Sequence, residues 1–317
     1  VPVPEIKDDQ VLVKIMNIGI CGSDIPRVLH NGVHFYPIVL GHEFSGVIVD
    51  PGDRSDLKIG DRITALPLSP CGKCDACKSG NPQYCINTWT HATGLSLEDS
   101  GAYSEYSSCY SNMARLITDE EAAMVGPAAV SLHAVKLADI MLGDKVLIVG
   151  GGVIGLLASE FAKKEGATYV CMLETNEKRG LKSLSLGSVD EFYNPTNSDT
   201  IKTLKEKTNG GFDIVIECCG NSAAVSEAMM LVKNGGKIVL VGVSTEPVTV
   251  PLVVSVMGEV TMLGSIAYSE FDFDKVIELI KNKDLNVVKY IDKVVSLEEV
   301  EDACKELTSG ESSAIKI

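Results

Sequence analysis

Two groups of side chains in the first third of the chain could bind a metal ion. In the first group, Cys21, His42 and Glu43 offer a thiolate, an imidazole and a carboxylate, which are all zinc ligands. A zinc ion with three protein ligands keeps a coordination position for a substrate, so this group predicts a catalytic site. From spacing alone, a buried cysteine and a hydrogen-bonded core histidine are the alternative.

The second group consists of four cysteines in the pattern Cys71-x2-Cys74-x2-Cys77-x7-Cys85. Four thiolates complete the tetrahedral coordination of zinc and leave no position for a substrate, so we expect a structural zinc that holds a short loop. Disulfides and an iron–sulfur cluster are the alternatives. Only ten cysteines occur in 317 residues, which indicates a reducing compartment and disfavours disulfides, whereas spacing alone does not exclude the cluster.

A glycine-rich turn predicts a dinucleotide site. It fits the pattern G-x-G-x-x-G, follows the apolar run 145–149 and opens a predicted helix at 156–164. Glycines allow a tight turn and a close approach of a pyrophosphate, which also meets the free N–H groups and positive dipole end of the helix. A turn selected only for packing is the alternative. The predicted cofactor contacts are Gly150, Gly152, Val153, Ile154 and Gly155.

Glu174 favours NAD as the dinucleotide. It ends the next predicted strand, 169–173, nineteen residues beyond Gly155. A carboxylate there can accept hydrogen bonds from both ribose hydroxyls and repels the 2′-phosphate of NADP. Arg179 is close enough in the sequence to weaken this preference, so we predict that it also contacts the cofactor, and the choice between NAD and NADP stays open.

The elements that must position these residues divide the chain in two. The first 110 residues contain short β-like runs at 10–16, 47–49 and 62–66, separated by Gly and Pro. From about Val130, apolar runs alternate with helical stretches, which is typical of a parallel sheet with crossover helices. The remaining predicted elements are strands at 212–217, 237–241 and 260–263 and helices at 273–283 and 297–307.

Composition limits the classes of function. The length of 317 residues suggests two domains, and 45 % hydrophobic against 22 % charged residues can form packed cores. A net charge of −15 with no long basic run argues against nucleic-acid binding. The apolar stretch 146–158 is shorter than the about 20 residues that a membrane span needs. No signal peptide is visible at the first residues. The low number of cysteines indicates a reducing compartment, so we expect a cytoplasmic protein.

Taken together, these motifs resemble the zinc-dependent medium-chain alcohol dehydrogenases, in particular their polyol branch. The likeness extends over nearly the whole chain and implies an α/β protein with two domains. One is a Rossmann domain with a doubly wound parallel sheet at 130–266, and the other a GroES-like, mostly β catalytic domain at 1–129 and 267–317, with the active site in the cleft. The motifs that carry the resemblance are Cys21-Gly22-Ser23-Asp24, Gly41-His42-Glu43, Gly60-Asp61-Arg62, the four cysteines and the glycine turn.

The resemblance also implies roles for individual residues. Cys21, His42 and Glu43 would hold the catalytic zinc. Ser23 would carry the hydroxyl that hands on the substrate proton, and Asp24 would orient a ligand. The implied reaction moves a hydride from a secondary alcohol of a polyol or polyol phosphate, of the sorbitol (L-iditol) or galactitol-1-phosphate kind, to NAD and gives a ketose. Because members are commonly dimers or tetramers, we expect a homodimer or homotetramer.

Two departures from the family pattern concern the catalytic chemistry. Gly126 stands where polyol members carry a Glu as a further zinc ligand, so we predict partial occupancy of the catalytic zinc. The same change makes a non-catalytic NAD(H)-binding redox sensor the alternative function. Pro26 stands where many members carry a proton-relaying histidine, so a relay would use water, His30 or His34.

A third departure concerns a phosphorylated substrate. Relatives that act on sugar phosphates carry basic residues before the glycine that matches Gly101, whereas this chain has Glu98 and Asp99. Two carboxylates would repel a phosphate, which leaves a free polyol open as substrate. Arg27 and Lys136 are the nearest candidates for phosphate binding.

Overall fold

The computed structural model of the chain describes residues 1–30, 36–97, 99–118, 120–244 and 246–317. The chain forms two compact units. Unit 1 comprises Val1–Ala129, Tyr268–Ser309 and Lys316–Ile317, and unit 2 comprises Val130–Ala267 and Gly310–Ile315.

A five-stranded antiparallel sheet organises unit 1, with the strand order β4-β1-β2-β3-β5. Alternate residues of β1 point into a core that also buries Phe44, Ile48 and Ile63, because successive side chains of a strand point to opposite faces. The strands are β1 (Gln10–Ile18), β2 (Phe44–Asp50), β3 (Arg62–Ala65), β4 (Tyr106–Tyr110) and β5 (Ala114–Leu116).

Unit 2 contains a six-stranded parallel sheet with the order β11-β10-β9-β6-β7-β8. Its central strands are continuous apolar runs because both faces of the sheet are covered. The expected fold class, a Rossmann-type parallel sheet beside a mostly β domain, is therefore confirmed. The strands are β6 (Lys145–Val149), β7 (Tyr169–Leu173), β8 (Glu191–Tyr193), β9 (Phe212–Glu217), β10 (Val232–Leu240) and β11 (Thr261–Gly264).

The α-helices of the described residues surround the two sheets, and none of them combines the length and apolar character that crossing a bilayer requires. Those that flank unit 2's sheet alternate with its strands, as a parallel sheet demands. The helices are α1 (Ile25–His30), α2 (Asp75–Lys78), α3 (Val125–Ala138), α4 (Val153–Glu165), α5 (Glu177–Ser185), α6 (Thr200–Thr208), α7 (Ser222–Leu231), α8 (Leu252–Gly258), α9 (Glu270–Lys281) and α10 (Val300–Thr308).

Candidate metal centre and active site

The pairing of β1 with β2 brings the first metal group together. Ile18 at the end of β1 is the register partner of Phe44 at the start of β2, and the Gly19 N–H donates to the Glu43 carbonyl at 2.7 Å. Cys21 therefore lies beside the residues that precede β2. The ligand atoms of Cys21, His42 and Glu43 all lie within 4.8 Å of one another. We call these three residues the Cys-His-Glu group.

A glycine immediately before His42 allows this approach. Gly41 has φ +101°, a left-handed conformation that favours glycine. A Cβ atom at Gly41 would lie 2.8 Å from the backbone nitrogen of Tyr103 and would also collide with Ile18. The chain can turn into His42 at this place only without a side chain at residue 41.

Asp24 lies against the imidazole of His42. Its Oδ1 atom is 3.6 Å from His42 Nδ1, and its side chain is fully buried. Burial raises the pKa of Asp24, although the charge of His42 acts in the opposite direction. Burial by itself lowers the pKa of His42, but the Cys21 thiolate and then Asp24 raise it to about 9. A metal ion bound at His42 would require the imidazole to be neutral.

Glu43 has a partner that the sequence did not indicate. Lys316, one residue before the C-terminal Ile317, donates one hydrogen bond to Glu43 Oε2 and another, of 2.8 Å, to the carbonyl of Ile20. Both charged side chains are buried. The carboxylate is therefore close enough to join a metal site and is at the same time neutralised by an ammonium group.

Ser23 brings a hydroxyl group to the Cys-His-Glu group. Its Oγ atom donates to the sulfur of Cys21 at 3.3 Å, and the residue is exposed. The structure therefore combines a thiolate, an imidazole, a carboxylate and an accessible hydroxyl. Of the two histidines considered for a proton relay, His30 is exposed at the end of α1, and His34 lies outside the described residues.

Gly126, near the start of α3, faces the same group. A Cβ atom built on it would lie 3.7 Å from Glu43 Cγ and 3.6 Å from the hydroxyl oxygen of Tyr268, which are ordinary van der Waals distances. Burial, with further contributions from Glu43 and Cys21, raises the pKa of Tyr268. The position where polyol relatives carry a Glu is therefore next to the candidate metal site, and it has room for a side chain.

The four cysteines also come together. Cys74 Sγ lies 3.5 Å from Cys77 Sγ, which is 4.0 Å from Cys71 Sγ, and the Cys71 N–H points to Cys85 Sγ at 3.4 Å. All four sulfurs lie within 4.8 Å of one another, and none of the ten cysteines, which all fall in the described ranges, forms a disulfide. Backbone N–H groups of Lys73 and Cys74 lower the pKa of Cys71 to about 6, which favours the thiolate that metals bind. We call this set the cysteine cluster.

The glycine turn follows β6 in unit 2. Gly150 has φ +107°, and a Cβ there would lie 2.6 Å from Cys219 Sγ. Gly152 is the N-cap of α4, and Val153 and Ile154 are its first residues, so the N–H groups of this first turn have no partner within the helix. Gly155 packs against Gly150, where a side chain would collide with the Gly150 carbonyl. These are the features of a turn that can hold a pyrophosphate.

Glu174, at the end of β7, contacts the same turn. Its carboxylate accepts hydrogen bonds from the N–H groups of Gly151 and Asn176, both at 2.7 Å. Arg179 in α5 donates from Nε to the carbonyl of Ala314 at 3.1 Å. Both residues that sequence reasoning assigned to the cofactor thus lie at the carboxyl edge of the parallel sheet, where dinucleotides bind in such folds.

Comparison with known proteins identifies the family. Residues 7–119 match the model of the alcohol dehydrogenase GroES-like domain, and residues 153–282 match that of the zinc-binding dehydrogenases. A sorbitol dehydrogenase of Bombyx mori is 33 % identical over 84 % of this chain and 79 % of its own length. The chain belongs to the zinc-binding dehydrogenases.

Two solved structures resemble this zinc-binding dehydrogenase over nearly its whole length. Galactitol-1-phosphate dehydrogenase from Escherichia coli has a TM-score of 0.86 at 27 % identity, covering 100 % of this chain and 94 % of its own. A structure from Sinorhizobium meliloti 1021, described as a zinc-binding dehydrogenase bound to NADP, has a TM-score of 0.87 at 31 % identity, covering 96 % and 90 %. The resemblance to zinc-dependent medium-chain polyol dehydrogenases is confirmed, and the protein is a dehydrogenase.

The residues of this zinc-binding dehydrogenase fit zinc in both places. The cysteine cluster presents four sulfurs within 4.8 Å of one another, which matches a closed structural site. In the Cys-His-Glu group, Nδ1 of His42 is buried and has no hydrogen-bond partner among the described residues, and it lies on the side of Asp24. The other ring nitrogen is thus left for a metal ion, with Asp24 behind the ring.

The residues that bear on a phosphorylated substrate are mostly engaged with other groups. Asp99 is 4 % exposed and accepts hydrogen bonds from Gln10 and Lys7, so it does not present a free carboxylate to a substrate. Glu98 lies outside the described residues. Arg27 donates to Asp24 Oδ1 at 3.3 Å, and Lys136 lies in the last turn of α3.

A separate cavity of about 560 Å³ lies in unit 1. Among the described residues, it is bordered by the second half of β1, residues 103–105 and the segment 288–300, with Lys316 in its wall. Cys21, Ser23 and His42 do not line it. The cavity is therefore not the place where the candidate catalytic residues would meet a substrate.

Proposed function

We propose that this zinc-binding dehydrogenase oxidises a secondary alcohol of a polyol to a ketone and transfers the hydride to NAD. The observation that carries the proposal is the position of the Ser23 hydroxyl, 3.3 Å from a sulfur of the Cys-His-Glu group. It places a proton acceptor beside the residues suited to hold a Lewis acid. The sorbitol dehydrogenase relative supports a polyol as the substrate class.

Each residue of the group has its own part in this reaction. Cys21 and His42 would hold the zinc, together with Glu43 when its carboxylate leaves Lys316. Bound there, zinc would supply a Lewis acid that lowers the pKa of the alcohol hydroxyl. Ser23 takes the proton of that hydroxyl and passes it to water, since its side chain is exposed and Pro26 cannot relay a proton.

Asp24 supports the reaction without touching the substrate. Its carboxylate lies 3.6 Å from His42 Nδ1, where it would favour the tautomer that presents the other nitrogen to the metal. The hydride leaves the alcohol carbon as the ketone forms, so the oxidised alcohol loses one proton and one hydride. A bound nicotinamide would supply the hydride acceptor, and Ser23 would hand the proton on to solvent.

The cofactor of the proposal is NAD. Glu174 lies next to the glycine turn and can accept a hydrogen bond from a ribose hydroxyl, whereas a 2′-phosphate would meet its negative charge. Arg179 donates a hydrogen bond to the carbonyl of Ala314, which argues against a role for Arg179 as a ligand of the 2′-phosphate. The Sinorhizobium meliloti structure holds NADP, so binding of both dinucleotides to the wild type and to Glu174→Gln tests this assignment. We expect Glu174→Gln to lower the preference for NAD about tenfold.

The proposed substrate is a free polyol in preference to a polyol phosphate. A phosphate needs cationic partners, and Arg27, the candidate nearest to Ser23 in the sequence, is paired with the buried Asp24. Because the chain resembles galactitol-1-phosphate dehydrogenase, polyol phosphates must also be tested as substrates. A panel that pairs each polyol with its phosphate distinguishes the two classes.

We also propose a homodimer or homotetramer that is built through unit 2. Helix α8 exposes four large apolar side chains by 65 to 78 %, and β11 forms an edge of the parallel sheet. An apolar face beside a free sheet edge is suited to a second copy of the chain. The exposed side chains are Leu252, Val253, Val256 and Met257. Light scattering of the wild type and of Val256→Glu tests the proposal, because the charged variant should dissociate.

We further propose that the cysteine cluster is a structural zinc site. The four sulfurs of the cluster lie within 4.8 Å of one another, which supports a metal site, and the low number of cysteines in the sequence supports a reducing compartment such as the cytoplasm. Because Gly126 supplies no ligand, we expect the catalytic zinc to be partly lost on purification. Metal analysis that finds two full equivalents per chain would refute the partial occupancy.

The deciding experiment incubates zinc-loaded protein with NAD and the panel of polyols and polyol phosphates. We expect NADH to appear with at least one polyol, and Ser23→Ala to lower kcat about 100-fold without weakening NAD binding. Ser185→Ala, which removes an exposed hydroxyl in α5, serves as the matched control and should keep full activity. Cofactor binding without turnover over the whole panel would favour the redox-sensor alternative, which the dehydrogenase relatives do not support.

A further inference from the structure

We propose that Tyr103 is a positioning residue for the Cys-His-Glu group and that it acts through Asp24. The hydroxyl of Tyr103 donates to Asp24 Oδ2 at 3.3 Å. The other carboxylate oxygen, Oδ1, lies near His42 Nδ1 and the guanidinium of Arg27. The proposal rests on the catalytic site proposed above. It adds to that site a residue that belongs to none of the sequence motifs and is not a candidate metal ligand.

The two oxygens of Asp24 have separate partners, and this division fixes the plane of the carboxylate. Oδ1 interacts with Arg27 at 3.3 Å and with His42 at 3.6 Å, whereas Oδ2 accepts from Tyr103. A carboxylate held at one oxygen can rotate about its bond to the chain, but one held at both cannot. The Tyr103 hydroxyl therefore keeps Oδ1 directed at the imidazole.

Tyr103 is itself tied to the backbone that carries His42. The N–H groups of residues 101–103 donate to carbonyls of residues 39–41 at 2.8 to 2.9 Å. Residue 41 is the glycine directly before His42, and a Cβ there would meet the backbone nitrogen of Tyr103. The backbone segments that carry the tyrosine and the histidine are thus hydrogen-bonded to each other, which restricts how far Tyr103 can move relative to His42.

A buried acid has two possible uses for such a hydrogen bond. The hydroxyl can merely satisfy a buried polar atom, in which case its removal lowers stability alone. It can instead orient the group behind a metal ligand, in which case its removal also weakens metal binding, as loss of such partners does by 10–100-fold in other metal sites. The two uses are distinguished by zinc affinity.

The test compares Tyr103→Phe with the wild type, because phenylalanine keeps the ring and removes only the hydroxyl. Metal-free protein is titrated with zinc against a competing chelator, and the sites lost in Cys21→Ser are assigned to the Cys-His-Glu group. We expect Tyr103→Phe to weaken these sites about tenfold and to leave the cysteine cluster unchanged. Tyr106→Phe, three residues along the chain, should match the wild type.

A second arm examines whether Tyr103 acts through Asp24. In the Asp24→Asn background, Tyr103→Phe should cause less than about a twofold further loss of zinc affinity, because the group that it orients has been changed. A zinc affinity of Tyr103→Phe within about twofold of the wild type would overturn the proposal, as would an equal loss in both backgrounds. If Asp24→Asn does not fold, the zinc affinity of Tyr103→Phe in the wild-type background decides the question. Failure of Cys21→Ser to remove any zinc site would instead contradict the proposed active site itself.

Discussion

The ammonium group of Lys316 donates a hydrogen bond to the carboxylate of Glu43, and both side chains are buried in unit 1. Glu43 is also within 4.8 Å of the other members of the Cys-His-Glu group. In the proposed zinc site, a zinc ion and the lysine would compete for this one carboxylate. Glu43 would then be an ion-pair partner in the metal-free chain and a ligand in the loaded one.

Removal of Lys316 tests this competition. A buried charge without a partner is costly, so we expect Lys316→Met to lower the free energy of unfolding of the metal-free protein by about 3 kcal/mol. Zinc would neutralise Glu43 in its place, and the loss in zinc-loaded protein should be smaller. Chemical denaturation of both forms measures the difference, and an equal loss in both would contradict the shared carboxylate.

The control for this variant is Lys293→Met. Lys293 pairs with Glu306 at 2.6 Å, but both side chains are partly exposed, at 46 % and 34 %. Exposed ion pairs contribute less than about 1 kcal/mol because water screens them. A large and zinc-dependent effect of this control would show that loss of a lysine, rather than of its buried contact, is responsible.

Restoring a carboxylate at Gly126 should strengthen zinc binding. The position has room for a Cβ beside Glu43 and Tyr268, and the resemblance to polyol dehydrogenases implies a Glu there. We expect Gly126→Glu to raise the zinc affinity of the Cys-His-Glu group about tenfold, whereas Gly126→Ala fills the space without a ligand and should not. Chelator competition measures both variants, and equal affinities would argue against a metal at this place.

Loss of one cluster cysteine should remove the structural zinc. We expect Cys74→Ser to reduce the zinc content of fully loaded protein by about one equivalent and to lower its thermal stability, since the loop has little core of its own. Cys219→Ser, which changes an exposed thiol outside the cluster, should keep the full zinc content. If Cys74→Ser kept the same content, the cluster would not be a zinc site.

The glycine turn makes a prediction about cofactor binding. Gly150→Ala should weaken NAD binding at least about tenfold, because the new Cβ would strain the turn and crowd Cys219 Sγ. Gly143 has nearly the same φ, +104°, but open space around its Cβ position. Gly143→Ala therefore introduces backbone strain without a steric clash. Titration with NADH compares the two, and an equal loss in both would assign the effect to stability.

Local sequence patterns predicted the parallel sheet well. The predicted strands 145–149, 169–173 and 212–217 match β6, β7 and β9 to the residue, since mostly apolar strands buried on both faces need no strict alternation. Helix α4 begins at Val153, three residues before the predicted start, because Gly152 caps it and the turn itself contributes its first residues. Strand β10 also begins earlier than predicted, at Val232, through a stretch with two glycines that interrupt the apolar pattern.

The contacts around the candidate site were harder to predict. Motif spacing indicated Cys21, His42 and Glu43, but Lys316 is 273 residues from Glu43 in the sequence. Tyr103 is 79 residues from Asp24 and belongs to no metal-binding motif. Such pairs form only because the sheet of unit 1 brings distant segments together. The residue pattern within one segment therefore does not predict them.

The proposed chemistry of this zinc-binding dehydrogenase depends on a zinc ion bound between Cys21 and His42. Anomalous diffraction at the zinc absorption edge, from crystals of zinc-loaded protein, locates the metal without any assumption about the substrate. We predict one peak within bonding distance of Cys21 Sγ and a ring nitrogen of His42, and a second peak inside the cysteine cluster. A map with a peak in the cluster and none beside Cys21 and His42 would contradict the account.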